Sequence, residues 1–260
     1  MINSDLKLDI SVIMPVYNEE QIIRNAILKT YDTLKTSGYR FEIIAVNDGS
    51  IDSSSSELMR LEEFAIIESY FPNKGKGYAL RMGSKKARGE RIAFYDSDLN
   101  IDPGYILTFL KYSIENEIDI VIGSKRVKGS KSSISPIRKS LSILYHLYSR
   151  TLFDIKVKDS QVGLKLIKRS ALEVILKNLT IDRYAYDIEL LLLSKINGFK
   201  IRELPITLRI NQENSGINLK VIERMFIDTL RVYFHHTNSK TLKKIKPHIE
   251  LLKKKYFDTK

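Results

Sequence analysis

The chain has 260 residues, 43% of them apolar, a net charge of +12 and no cysteine, which fits one large domain with at most a small appendage and excludes disulfides and thiolate metal sites. No apolar run approaches the roughly 20 residues that cross a bilayer, and the mixed polar and acidic first nine residues do not read as a signal peptide, so neither a spanning helix nor a secretory leader is expected. The positive charge calls for an anionic partner, which could be nucleic acid, a phosphate-bearing substrate or an acidic membrane surface.

Residues 10–16 form an apolar run that reads as a buried strand. Pro15-Val16-Tyr17-Asn18-Glu19-Glu20 leads into a helix, with Asn18 as predicted N-cap and Gln21 as its capping-box partner. Ile22, Ile23, Ala26, Ile27, Tyr31 and Leu34 make one apolar face, and Gly38 ends the helix. A second strand over 41–46 closes on Asn47-Asp48-Gly49-Ser50, followed by a helix over 53–61 and a weaker strand over 65–71. Asn73-Lys74-Gly75-Lys76-Gly77 precedes a helix over 78–87, and Ile92-Ala93-Phe94-Tyr95 is the next strand. Asp102-Pro103 opens a helix to about 115, and a strand over 118–122 ends in Gly123-Ser124-Lys125-Arg126. Such alternation predicts an α/β fold, a mainly parallel sheet flanked by helices.

Beyond this point the pattern changes. Residues 128–135 read as a Ser/Lys/Gly loop, a possible flap. Over 136–153, Ile137, Leu141, Leu144, Tyr145, Tyr148 and Leu152 share one helical face, edged by Arg138, Lys139, His146 and Arg150. A strand over 162–167 follows Asp159-Ser160-Gln161, and Ser170 with Glu173 predicts a capping box for a helix to about 178. A helix over 186–197 carries Asp187 and Glu189 in its first turn, and 200–209 alternates as one strand. Two amphipathic helices, 219–236 and a lysine-rich 241–256, complete the chain. Residues 1–212 are therefore expected to form the main domain, with 213–260 as a basic helical segment.

The strand ending in Asp96-Ser97-Asp98 carries the clearest chemistry. Side chains at i and i+2 of an extended chain share a face. Both carboxylates would then project from the strand's C-terminal end, where open α/β sheets bind ligands. Such a pair suits a hard divalent cation holding a diphosphate; the alternative is two solvated turn aspartates.

Taken together, Pro15-Val16-Tyr17-Asn18-Glu19-Glu20, Asn47-Asp48-Gly49-Ser50, Asn73-Lys74-Gly75-Lys76-Gly77 and Asp96-Ser97-Asp98 resemble glycosyltransferase family 2, with its GT-A fold. Gly123-Ser124-Lys125, the Asp159–Lys165 string and Tyr186-Asp187-Ile188-Glu189-Leu190 narrow the resemblance to enzymes that glycosylate polyprenyl or dolichyl phosphate. The string is closer to the glucosyl than to the mannosyl enzymes, which implies UDP-glucose over GDP-mannose as donor.

The resemblance implies that Pro15, Tyr17 and Glu19 lie near the base and ribose, that Asp48 bonds the base and that Lys76 approaches the nucleotide. Glu19 could instead serve only the helix N-terminus, and Lys76 could be a solvated loop lysine. Asp96 and Asp98 would bind nucleotide and metal, Mg²⁺ or Mn²⁺, with Asn100 as a third oxygen ligand or as the start of the next helix. Lys125, Arg126 and Arg138 would hold the acceptor phosphate; Lys125 stands where relatives have Arg, which keeps the charge and loses the bidentate fork. Asp159, Gln161 and Glu189 would line the sugar pocket. Asp187 occupies the position of the catalytic base in relatives that use hydroxyl acceptors, whereas a phosphate acceptor needs no strong base. Asp187 and Glu189 could also merely favour a helix N-terminus.

The expected reaction is an inverting, metal-dependent sugar transfer to a lipid phosphate, and inversion comes from the resemblance alone. Residues 136–153 have the makeup of an interfacial helix, which with the basic C-terminus predicts a peripheral enzyme on the cytoplasmic face of an anionic membrane. The rivals are transfer to a sugar hydroxyl with Asp187 as base, and a non-catalytic basic adaptor. No zinc spacing or aromatic RNA-binding strand supports a nucleic-acid partner. Oligomeric state is not legible.

Overall fold

The computed structural model describes residues 8–133, 136–183, 185–209 and 219–236. The predicted helix over 241–256 lies outside the described residues, as does most of the 213–260 segment. Nine strands are described: β1 (Ile10–Val16), β2 (Phe41–Asp48), β3 (Ile66–Tyr70), β4 (Arg91–Tyr95), β5 (Ile120–Ser124), β6 (Lys131–Ser133), β7 (Leu164–Lys168), β8 (Ile201–Pro205) and β9 (Thr207–Arg209). The helices are α1 (Ile23–Lys35), α2 (Ser54–Met59), α3 (Lys76–Lys86), α4 (Gly104–Glu115), α5 (Pro136–Phe153), α6 (Arg169–Leu176), α7 (Tyr186–Ile196) and α8 (Leu219–His236).

Seven strands form one sheet in the order β3-β2-β1-β4-β7-β5-β8. All neighbours run parallel except β7, which is antiparallel to both β4 and β5. Successive side chains alternate between two apolar faces. Ile13, Ile44, Ile92 and Phe94 pack under α3, α6 and α7. Val12, Met14, Ala93 and Tyr95 pack under α1 and α4. Helices on both faces bury the central strands, which is why β1, β2, β4 and β5 read as near-continuous apolar runs, while the edge strands β3 and β8 stay partly exposed.

Several local expectations are corrected. Asn18 does not cap α1, which starts at Ile23 without a side-chain cap. With φ +55°, Asn18 instead accepts the Ile51 N–H through Oδ1 (2.9 Å) and donates its own N–H to Ser50 Oγ (3.1 Å). Asparagine tolerates this left-handed backbone, and the bonds join the loops after β1 and β2. The Ser170–Glu173 box is not used, because α6 follows β7 directly from an extended Lys168. The alternating run over 200–209 breaks at buried Ile206; β8 joins the main sheet, and β9 pairs with β6 out of the predicted loop 128–135.

The apolar face predicted for α5 is divided. Tyr145 and Tyr148 turn inward, one bonded to Thr229 Oγ1 (2.8 Å) and the other donating to the Phe226 carbonyl (3.2 Å) of α8. Ile137, Ile143, Leu144 and Leu147 are exposed. Among the described residues no helix is long and apolar enough to cross a membrane.

Candidate active site

Parallel strands bring the C-terminal ends of β1, β2 and β4 to one edge of the sheet. Reversed β7 brings its beginning to the same edge, with Leu164 opposite Tyr95. A cavity of about 420 Å³ opens there. Pro15, Tyr17 and Glu19 line it from the β1 loop, and Asp96 and Asp98 from the β4 end. Facing them are Lys76 at the start of α3, Gln161 before β7, Asp187 at the start of α7, and Met225 of α8.

Asp48, at the end of β2, lies in this wall and is 3% exposed. Its carboxylate accepts N–H groups from Asn73 Nδ2 (2.9 Å), Lys74 (2.7 Å) and Gly75 (2.8 Å). Hence it shapes the loop that delivers Lys76. Gly75 has φ +106°, and a Cβ there would lie 2.6 Å from Arg183 Cγ. The glycine lets that loop sit against the chain before α7.

Like charges crowd the opposite wall. Burial, then Asp98, Asp96 and Asp52, push the Glu19 carboxyl up to about 7. Burial and then Asp96 raise Asp98, against hydrogen bonds from Asn100 that oppose the shift. The one close counter-charge is Lys76, whose Nζ lies 2.5 Å from Asp96 Oδ1. Burial works against its ammonium, but Asp96 and Asp187 prevail and raise its pKa. Carboxylates raised by burial and by neighbouring like charge, as Glu19 and Asp98 are, suit a site that receives positive charge. Among the described residues no three acidic or imidazole side chains form a ready-made metal cage. Two aspartates suit Mg²⁺ or Mn²⁺ when water and a diphosphate complete the shell.

Asp187 has a buried partner. Lys165 of β7 is 2% exposed, and its Nζ lies 2.7 Å from Asp187 Oδ1 and donates to the Val162 carbonyl at 2.6 Å. Gly163, next to that carbonyl, packs so closely that a Cβ would come within 2.1 Å of Asp96 Oδ2. Gln161 in the same turn lines the cavity and has a buried Nε2 without a hydrogen-bond partner.

Two smaller chambers continue the groove. One, about 130 Å³, shares Asp96, Asp98 and Gln161 with the main cavity and reaches Asn100 and Lys125. The next, about 190 Å³, shares Lys125 and is lined by Arg126, Lys139, Ser142 and Ile143. Ile143 belongs to the exposed apolar strip of α5.

The sequence profile described as glycosyl transferase family 2 matches residues 11–176. The chain belongs to glycosyl transferase family 2. Dolichyl-phosphate beta-glucosyltransferase ALG5A of Trichomonas vaginalis is 30% identical over 241 residues, covering 87% of this chain and 73% of the relative. The Saccharomyces cerevisiae dolichyl-phosphate beta-glucosyltransferase is 29% identical over 78% of this chain and 67% of its own. Among solved structures, glucosyl-3-phosphoglycerate synthase from Mycobacterium tuberculosis, in complex with phosphoglyceric acid, superposes with a TM-score of 0.71 at 20% identity. That alignment covers 89% of this chain and 82% of that one. The same synthase has been crystallised with Mn²⁺, UDP and glucosyl-3-phosphoglycerate (TM-score 0.68, 21% identity, 89% and 82% coverage). The fold is GT-A-like and the protein is a glycosyltransferase, so the adaptor reading is set aside.

In this family 2 glycosyltransferase several expected site residues have other work. Glu189 is not in the sugar pocket. It is fully buried and accepts N–H groups from Thr180 and Ile181, the Thr180 hydroxyl (2.6 Å) and His236 Nε2 (2.7 Å). It anchors the chain before α7 to the end of α8. Asp159 is 3% exposed and holds Lys125 through its backbone N–H (3.1 Å) and ammonium (3.4 Å), so it orients a cation rather than touching a sugar. Asn100 donates its backbone N–H and its Nδ2 to Asp98 (3.0 and 2.5 Å) and so braces that aspartate. Arg126 donates to the Ser142 carbonyl at 2.7 Å, while the Arg138 side chain lies outside the described residues. Sequence reading missed Arg183, Met225 and Lys165. Only Lys165, a lone cation in an apolar strand, carried a local signal.

Proposed function

We propose that the protein transfers a glucosyl group from UDP-glucose, in preference to mannose from GDP-mannose, to a polyprenyl or dolichyl phosphate. The supporting observation is the groove itself. It runs from Tyr17 past Asp96 and Asp98 to Lys125, Arg126 and Lys139, and ends at Ile143 beside exposed Leu144 and Leu147. A nucleotide-sugar fits the wide end, a phosphate monoester the cationic end, and an isoprenoid chain the apolar strip. α5 then lies at the cytoplasmic surface of an anionic membrane, and the enzyme is peripheral.

The lipid phosphate oxygen attacks the anomeric carbon as the bond to the UDP oxygen breaks, and configuration inverts. That oxygen is already ionised at neutral pH, so no residue need remove a proton. Lys125 and Arg126 hold the nucleophile in line. Lys76 and Arg183 face the charge that grows on the departing diphosphate. A Mg²⁺ or Mn²⁺ ion held by Asp96 and Asp98 would supply further charge neutralisation to the diphosphate.

The test is label transfer into lipid. Purified protein is incubated with polyprenyl phosphate in detergent, Mg²⁺ or Mn²⁺, and labelled UDP-glucose or GDP-mannose in turn. Acid-labile label in the organic phase with UDP-glucose, absent from Asp98→Ala, is expected. Label only from GDP-mannose overturns the donor assignment, and label only on water-soluble acceptors overturns the lipid.

A further inference from the structure

Lys165 lines none of the three chambers described above and has no place in the transfer just described, yet it is 2% exposed. A buried ammonium is costly unless its partners offset desolvation. Its two partners here are Asp187 Oδ1 and the carbonyl of Val162, a residue that lines the 130 Å³ chamber beside the main cavity. Asp187 lines the cavity directly. Val162 lies in the turn that carries Gln161, whose buried Nε2 has no partner, and Gly163, whose carbonyl accepts the Asp96 N–H at 3.1 Å. One ammonium thus joins two elements far apart in sequence, the turn before β7 and the first turn of α7.

We infer that Lys165 is a positioning residue for the donor's hexosyl group: it commits Asp187 Oδ1, leaves Oδ2 to accept hexose hydroxyls, and fixes the Gln161 turn on the same sugar. The inference rests on the nucleotide-sugar reading of the cavity. Asp187 is then a sugar ligand whose carboxylate cannot rotate, because turning it would strand a buried charge. Sugar hydroxyls bind well to acceptors fixed in advance, since no side-chain freedom is lost on binding. With the nucleotide base on Tyr17 of the β1 loop, Lys165, bound to Asp187 and to the Gln161 turn, should act on the sugar and leave the nucleotide alone.

The test compares Lys165→Met, Asp187→Asn and the double variant, by titration calorimetry with UDP and with UDP-glucose in Mn²⁺ and by steady-state transfer. Methionine keeps the straight chain and approximate volume while removing the charge. Expected for Lys165→Met is UDP affinity within about 3-fold of wild type, loss of the extra affinity that the glucosyl group confers, and kcat/KM lower by about 100-fold, the scale of misplaced positioning groups. In the Asp187→Asn background the same change should add less than about 3-fold, since residues acting as one unit are not additive. Equal loss of UDP and UDP-glucose affinity, or full losses that multiply in the double variant, overturns the inference. Should Lys165→Met fail to fold, the double variant against Asp187→Asn still reads the coupling. A wild type that binds UDP-glucose more tightly than UDP but transfers to no lipid phosphate defeats the proposed acceptor, while the binding ratio still decides for Lys165.

Discussion

The two ends of the same parallel strands treat buried carboxylates in opposite ways. At the N-terminal edge, Glu42 of β2 is 8% exposed and fully matched. It accepts the Ser11 hydroxyl (2.6 Å), the Arg88 N–H (2.6 Å) and the Arg88 guanidinium (2.8 Å). Ser11 Oγ in turn accepts the Gly89 N–H at 2.7 Å. At the C-terminal edge, Asp98 and Asp96 raise the proton affinity of Glu19, Asp96 raises that of Asp98, and Lys76 pairs with Asp96. The first cluster is complete within the chain and ties strands together; the second is complete only when positive charge arrives from outside. Burial alone does not distinguish structure from function, whereas the balance of partners does.

Three substitutions sharpen the contrast. Asp98→Ala should lower transfer by about 10³-fold, roughly 4 kcal/mol of transition-state stabilisation, and leave the Tm unchanged or higher, because a like charge is removed. Label incorporation and a thermal melt on one preparation read both. Glu42→Ala should do the reverse. Losing the acceptor for Ser11 and the Arg88 N–H should cost about 3 kcal/mol of stability, seen as an earlier urea midpoint, with kcat per folded molecule unchanged. A fall in kcat at constant stability would erase the distinction between the edges.

The smallest effect depends on pH. The folded protein holds a Glu19 proton up to about 7, whereas an unfolded glutamate releases it near its ordinary value of roughly 4.3. This group's contribution is therefore fully present at low pH and is lost as pH rises through that window. Glu19→Gln should be more stable than wild type at pH 8 by about 1 kcal/mol, after allowance for solvent screening, and equal to it at pH 4. Mn²⁺ with UDP should cancel the gain at pH 8. A gain that is the same at both pH values would show that the crowding at Glu19 is not electrostatic.

Strand and helix periodicity made β1, α5 and α8 readable to the residue; Asp96 and Asp98 do reach the cavity, but β4 ends at Tyr95 and a turn, not the i, i+2 alternation of a strand, presents them. Spacing could not reveal what lies opposite a side chain. Asp48 and Glu189 read as ligands because a carboxylate at a βα boundary or helix start has the same local signature whether it meets a substrate or the backbone and side-chain donors of a neighbouring loop. Their saturation depends on loops 73–75 and 180–181 folding back over them. The α5 tyrosines sit on the apolar face as predicted, but only the packing of α8 decides which part of that face is covered. Lys165 needed α7 to have meaning.

Reversed β7 also governs how the molecule can be assembled. β4 and β5 are consecutive in the main sheet's sequence order yet are separated within it by β7. Until residues 164–168 have been synthesised, β4 presents an open edge on that side, and such edges invite pairing with other chains. The nucleotide half of the sheet, β1 to β4, can pair earlier. Distant pairings of this kind form late, since loop closure must precede their reward. The strand that closes the vulnerable edge also carries Lys165 and follows the Gln161 turn, so the segment that shields a nascent chain from aggregation brings part of the cavity wall with it.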